Sequence, residues 1–312
     1  MTPAISVTDL TRRYRDHTAL DGIDIAIGGG TITGLLGRNG AGKTTLLRIL
    51  AGHEFPSSGS VRVLGAPPAE NEDVLRRLAF VREDQVYPDI KVGQALRAAS
   101  WFHPNWDFEL ASALLDDFGL RADKAVKKLS RGQRSALGIT IAMAARAEVT
   151  LFDEPYAGLD AVARQVFYDR LLADFARFPR TVVLSTHLID EAAALLESVI
   201  VIDRGRLVLN AATDVLRGLA TRVSGPCLAV DSLAEGRPVW ERRRLGSQAS
   251  IVMVGPLSAH DRERARSCGL DLTPLSLQQI VVRAAAGVLA PVPIRVPETG
   301  FEAGFETDRT GA

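Results

Sequence analysis

Lysine is nearly missing from this chain: only 5 of its 37 basic residues are lysine, and the rest are arginine. Nor is there an excess of either sign of charge. Acidic and basic residues both number 37, so the formal net charge is zero. A general nucleic-acid binder carries a basic surplus, and none exists here. Cysteine is scarce as well. Cys227 and Cys268 lie far apart in the sequence, which excludes a disulfide framework and any cysteine-rich metal motif. No window approaches the ~18 uninterrupted apolar residues of a spanning helix. The run Val199–Ile202 is short, stops at Asp203 and reads as a strand. Met1-Thr2-Pro3-Ala4 has no basic stretch leading into an apolar one, so no signal peptide is expected. Any work at a membrane would go through another chain.

What the chain does have is apolar bulk. Its 312 residues are 46% apolar, enough for one large core or two modest ones. Short alternating strands are expected at Ile5–Thr8 and Ile23–Ile27. After Gly28-Gly29-Gly30, a largely apolar strand over residues 31–36 runs straight into a glycine-rich loop. Helical spacing follows at 45–51, ending at Gly52, and again through much of 92–147. Strands at 149–152 and 181–185 flank a helix reaching Arg177. Strands alternating with helices imply a parallel sheet covered on both faces. The pattern changes near 220. Ala229, Ile251 and Val254 sit in strand-like runs, and 261–266 and 275–286 read as helices. Beyond 288, proline and glycine replace apolar periodicity, and a disordered tail is expected.

The loop Gly37-Arg38-Asn39-Gly40-Ala41-Gly42-Lys43-Thr44 fits G-x-x-x-x-G-K-[ST]. Backbone N–H groups must converge on phosphate oxygens there, and the helix it opens adds the positive end of its dipole. Gly37 to Thr45 thus form the expected nucleotide cradle. Lys43 would bridge the β- and γ-phosphates, and Thr44 would give its hydroxyl to Mg²⁺. About a hundred residues on, Val149–Phe152 ends in Asp153-Glu154-Pro155. Ligands of open α/β sheets bind at the carboxyl ends of strands. Successive residues point different ways, so Asp153 is assigned to the metal, mostly through its water shell, and Glu154 to the general base.

Further motifs narrow the class. Leu129-Ser130-Arg131-Gly132-Gln133 resembles the signature motif of ABC transporter ATP-binding subunits, with Arg131 replacing the first of two glycines. Gly158-Leu159-Asp160 resembles that family's D-loop, Ser185-Thr186-His187 its switch histidine, and Tyr14 its adenine platform. The resemblance spans 5–217 in the family's order. It implies an ATPase working as a head-to-tail dimer, each ATP held between the P-loop of one copy and Ser130, Gly132 and Gln133 of the other. His187 would contact the γ-phosphate beside Lys43 and Glu154. Asp160 would pass contact across the dimer, or simply cap a helix. Tyr14 would stack on adenine, or simply pack. The Q-loop departs from the pattern: the strand aligns Glu83 with the metal-binding glutamine, and Gln85 is the alternative. Trp101, Phe102 and Trp106 would touch a membrane subunit or pack the insertion. His17, His53, His103 and His260 belong to no motif and are expected at the surface.

The expected fold is α/β: a P-loop NTPase parallel-sheet core with N-terminal antiparallel strands and a helical insertion, plus a small C-terminal α+β appendage. The ATP-binding domain is placed at 1–220 with its insertion at about 92–147, the appendage at 221–287 and the tail at 288–312. ATP and Mg²⁺ are the implied cofactors. Separate transmembrane permease subunits and a second copy are the implied partners, with no nucleic acid. The resemblance is to exporter ATPases of the multidrug, bacteriocin-immunity and acetoin-linked kind, peripheral on the cytoplasmic face of the cell membrane. The alternative is a soluble ABC-type ATPase uncoupled from transport.

Overall fold

The computed structural model describes residues 3–82 and 84–287. Glu83 and the expected tail at 288–312 lie outside the described residues. The chain starts with β1 (Ile5–Tyr14) and β2 (His17–Ile27), enters the core on β3 (Ile32–Leu36) and returns on β4 (Ser58–Val63). Then come β5 (Leu78–Arg82), β6 (Val149–Asp153), β7 (Thr181–Ser185) and β8 (Ser198–Asp203), with β9 (Arg206–Ala212) folding back on β8. The last part adds β10 (Ala220–Pro226), β11 (Val239–Leu245), β12 (Gln248–Val254) and β13 (Asp271–Pro274).

Among the described residues three sheets result. The central one has the order β5-β6-β7-β3-β8-β9, parallel except for β9. The first two strands form the antiparallel order β2-β1-β4 with β4. The last four form an antiparallel sheet, β11-β12-β10-β13.

Strand β6 shows why the apolar runs are unbroken. Val149 and Leu151 enter one core and Phe152 the other, so both faces are covered. The first core lies between the central sheet and the β2-β1-β4 sheet, with the helix Lys43–Leu50 inside it through Leu46, Leu47, Ile49 and Leu50. The second gathers the helical insertion against the opposite face. A third, smaller core lies under the β10–β13 sheet, around Val223, Val230 and Ile251. The last helix, Leu277–Ala285, does not join that third core. Its Leu277, Ile280, Val281 and Ala284 pack into the second.

Three expectations change. The first two strands are longer than their alternation suggests. Register shifts between Val7 and Arg13, and Asp9 with φ of 46°, interrupt the period of two. Ala229 lies in the helix Cys227–Ala234, not in a strand. A short apolar run suits either element, and packing against β10 and β12 decides it. His103 is half-buried rather than on the surface, and burial holds its pKa below the ordinary imidazole value.

Candidate functional site

The carboxyl ends of β3 and β6 and the loop after β7 meet around one cavity of about 620 Å³. Its wall carries Asn39 to Thr45 from the glycine loop, Asp153 at the end of β6 and Glu154 just after it, His187, and Tyr14 from the β1–β2 hairpin.

The loop's glycines answer to its own neighbours as much as to phosphate. Gly37 has a φ of 151° and Gly42 a φ of 108°. A Cβ on Gly37 would collide with the Ile202 carbonyl, and one on Gly42 would stand 2.5 Å from the Ala19 carbonyl oxygen. Only glycine lets the loop pass this close. Lys43, 6% exposed, donates from Nζ to the carbonyls of Gly37 (2.8 Å) and Arg38 (3.2 Å). Burial lowers its pKa, while Glu154 and Asp153 work the other way. The ammonium is thus held over the glycine loop.

Asp153 is buried, and burial raises its pKa, with the neighbouring hydroxyls of Thr44 and Ser185 offsetting part of that. Its Oδ1 has no hydrogen-bond partner among the described residues. Glu154 adopts a left-handed backbone with φ of 48°, a costly conformation for a residue with a side chain. Its Oε2 accepts from His187 Nδ1 at 2.7 Å and from the Tyr156 hydroxyl at 2.8 Å. The imidazole is otherwise open, 59% exposed.

The structure does not bring every expected residue to this cavity. Gly37, Arg38, Gln85, Ser130, Gly132, Gln133 and Asp160 do not line it. Ser130 caps the helix Arg131–Ala144, its Oγ accepting from Gln133 N at 3.2 Å. The Gln133 side chain returns the bond to Ser130 N (3.2 Å) and also accepts from Lys124 Nζ (2.9 Å). Gly132 lies so close to the Gly158 carbonyl that a Cβ would collide with it, and Ser135 Oγ donates to Ala157 O at 2.6 Å. The signature segment and D-loop therefore form one block. Asp160 caps the helix Ala161–Arg177 through Ala163 N at 2.8 Å. Gln85 turns its Oε1 back to Arg82 N, 3.4 Å away. Tyr14 bonds to Glu54, and the Arg12 guanidinium lies 4.5 Å over its ring, so a stacked base would share that ring with a cation.

Sequence reasoning missed His17, Ala19, Arg131 and Ala157 in the wall. His17 pairs with Tyr14 across the hairpin, and the turn at 15–16 was the available signal. Arg131, at the position of the family's glycine, reaches the same cavity as the P-loop of its own chain.

Residues 20–157 match the ABC transporter family. The chain is 36% identical over 209 residues to the aliphatic sulfonates import ATP-binding protein SsuB 1 of Nocardia farcinica, covering 67% of this chain and 82% of that one. It is 34% identical over 294 residues to the Nod factor export ATP-binding protein I of Burkholderia pseudomallei, covering 89% and 96%. It is 33% identical over 229 residues to the daunorubicin/doxorubicin resistance ATP-binding protein DrrA of Streptomyces peucetius, covering 69% and 67%. Among solved structures, an ATP binding subunit of an ABC transporter superposes with a TM-score of 0.62 at 25% identity, over 69% of this chain and 92% of that one.

Proposed function

The chain belongs to the ATP-binding subunits of ABC transporters, and from that premise we propose how its residues hydrolyse ATP and which way the transporter runs. It binds ATP and spends it on transport. The observation that carries the mechanism is that Lys43, Asp153, Glu154 and His187 share one cavity at the sheet edge.

In this reading Gly37 to Thr45 cradle the phosphates, Lys43 neutralises the β- and γ-oxygens, and Tyr14 receives the base. Glu154 takes the proton of the attacking water, and His187, held by that carboxylate, contacts the γ-phosphate. Thr44 and Asp153 fit a magnesium ion. The buried carboxylate has an oxygen without a partner among the described residues, and a hydroxyl stands beside it. Few protein oxygens are needed where phosphates complete the shell. Bound there, the ion offsets phosphate charge. Glu83 is our choice for a further oxygen ligand, because the Gln85 amide is engaged by Arg82.

Two copies would close head to tail on ATP, with the Ser130–Gln133 segment and Asp160 of one facing the nucleotide of the other. Among the described residues no helix is long and apolar enough to cross a membrane. In this reading permease subunits on separate chains carry the cargo. This subunit would lie on the cytoplasmic face. We propose export. Support comes from the Nod factor export protein, whose similarity extends across 89% of this chain and so into the region after residue 220. The organisation we favour keeps 1–220 as the ATP-binding unit and 221–287 as an appendage.

The test is Glu154→Gln. The variant is expected to bind ATP, to run as a dimer on size exclusion with ATP, and to lose turnover by about 100-fold or more. Normal hydrolysis would remove Glu154 from the base role. Recovery of the wild-type protein with ribosomes rather than membranes would favour the uncoupled ATPase.

A further inference from the structure

Tyr156 stands two residues after Glu154 in the turn that leaves β6, and only 3% of it is exposed. Its hydroxyl has three partners: Glu154 Oε2 at 2.8 Å, His187 N at 3.3 Å and Thr186 Oγ1. A phenol offers one proton and accepts through its oxygen. The His187 backbone N–H can only donate. Thr186 Oγ1 already accepts from Leu188 N at 2.9 Å, and its own proton is free to go to the phenol. That leaves the phenol's proton for the carboxylate. Every role of the phenol is then filled, while the other oxygen of the carboxylate, Glu154 Oε1, has no hydrogen-bond partner among the described residues. Burial also pushes the phenol's pKa upward, so it stays a donor.

These contacts cross from the end of β6 to the end of β7, where Asp153 and Ser185 are in register. Glu154 reaches its place through a left-handed backbone, which neighbours must enforce. Its Oε2 is pinned from one side by Tyr156 and from the other by His187 Nδ1. The same phenol also accepts from the main chain of His187.

We propose that Tyr156 is a positioning residue for ATP hydrolysis, fixing the Glu154 carboxylate and the His187 backbone in one arrangement so that base and switch histidine move as a unit. This rests on the reading of Glu154 as the base. Nothing in the sequence pattern singles out Tyr156, because a tyrosine after Asp-Glu-Pro belongs to no motif recognised there.

Tyr156→Phe keeps the ring against Tyr168 and His187 and removes only the hydroxyl. Steady-state kcat is expected to fall about 10- to 100-fold, since small misplacement of a catalytic group costs this much. The KM for ATP and ATP-driven dimerisation should stay within about twofold, because binding does not use the hydroxyl. Single-turnover hydrolysis of radiolabelled ATP then separates positioning from general loosening. Adding Tyr156→Phe to Glu154→Gln should cost clearly less than Tyr156→Phe costs alone, because the carboxylate, one of the two groups it positions, is already gone. Losses that multiply, or a Tyr156→Phe enzyme with wild-type kcat, overturn the proposal. Failure of the base reading has a different sign, namely full activity of Glu154→Gln alone. Should Tyr156→Phe not fold, Thr186→Val removes one partner and leaves the phenol. It is expected to lower kcat at unchanged KM, and an unchanged kcat would overturn the proposal as well.

Discussion

Lys43 is held by two carbonyls of its own loop and drawn toward two carboxylates. A buried ammonium so placed exchanges those carbonyls for phosphate oxygens at little rearrangement. Hydrogen bonds to charged groups contribute about 1.5–3 kcal/mol each. Lys43→Ala should therefore weaken ATP binding by roughly 100-fold or more, counted as two such bonds. A fluorescent-nucleotide titration reads this directly, and wild-type affinity would refute the cradle assignment. At this scale the residues legible in the sequence were those whose chemistry depends on spacing: the glycine loop, the two acids ending β6, and the histidine after β7. Tyr156 was not legible. Its role comes from Thr186 and His187, neighbours distant in sequence, which no spacing encodes. Gln133 is expected to face a second copy, and within its own chain its side chain bonds to Ser130 and Lys124.

At the scale of elements, the signature helix and the D-loop meet through backbone. A methyl group on Gly132 would strike the Gly158 carbonyl, so Gly132→Ala must push the two apart. Overpacking of this kind costs about 1–3 kcal/mol. Chemical denaturation should report that loss. ATP binding to the monomer should survive, because Gly132 lies outside the cavity wall, while ATP-dependent dimerisation should weaken. Wild-type stability and dimerisation would show that the block yields freely. Element types were well anticipated where apolar periodicity is clean, as for the helix ending at Arg177 and the strand Val149–Asp153. Length was underestimated where bulges break the alternation of β1, and type was misjudged where Cys227–Ala234 offers an apolar stretch too short to have a period.

For the whole molecule, the notable feature is where the last helix goes. The β10–β13 sheet has its own small core, but Leu277, Ile280 and Val281 belong to the core beneath the central sheet. Full burial of each such side chain is worth about 1.5–3 kcal/mol, so three amount to a large share of a domain's net stability. Deleting residues 275–312 is expected to lower the thermal midpoint markedly and to cost ATPase activity, although none of the described residues removed lines the nucleotide cavity. A truncated protein that melts and turns over like the full chain would show this docking to be energetically idle. The division into units was read from a change of composition near 220. Composition cannot reveal that a late segment returns to an early one.

That return sets a timetable for the newborn polypeptide. A ribosome releases the glycine loop long before it has made Ile280, and until then the part of the second core that Leu277, Ile280 and Val281 cover is open to water. Transiently exposed apolar surface of that kind leaves an unfinished chain prone to aggregate, the hazard that chaperones answer.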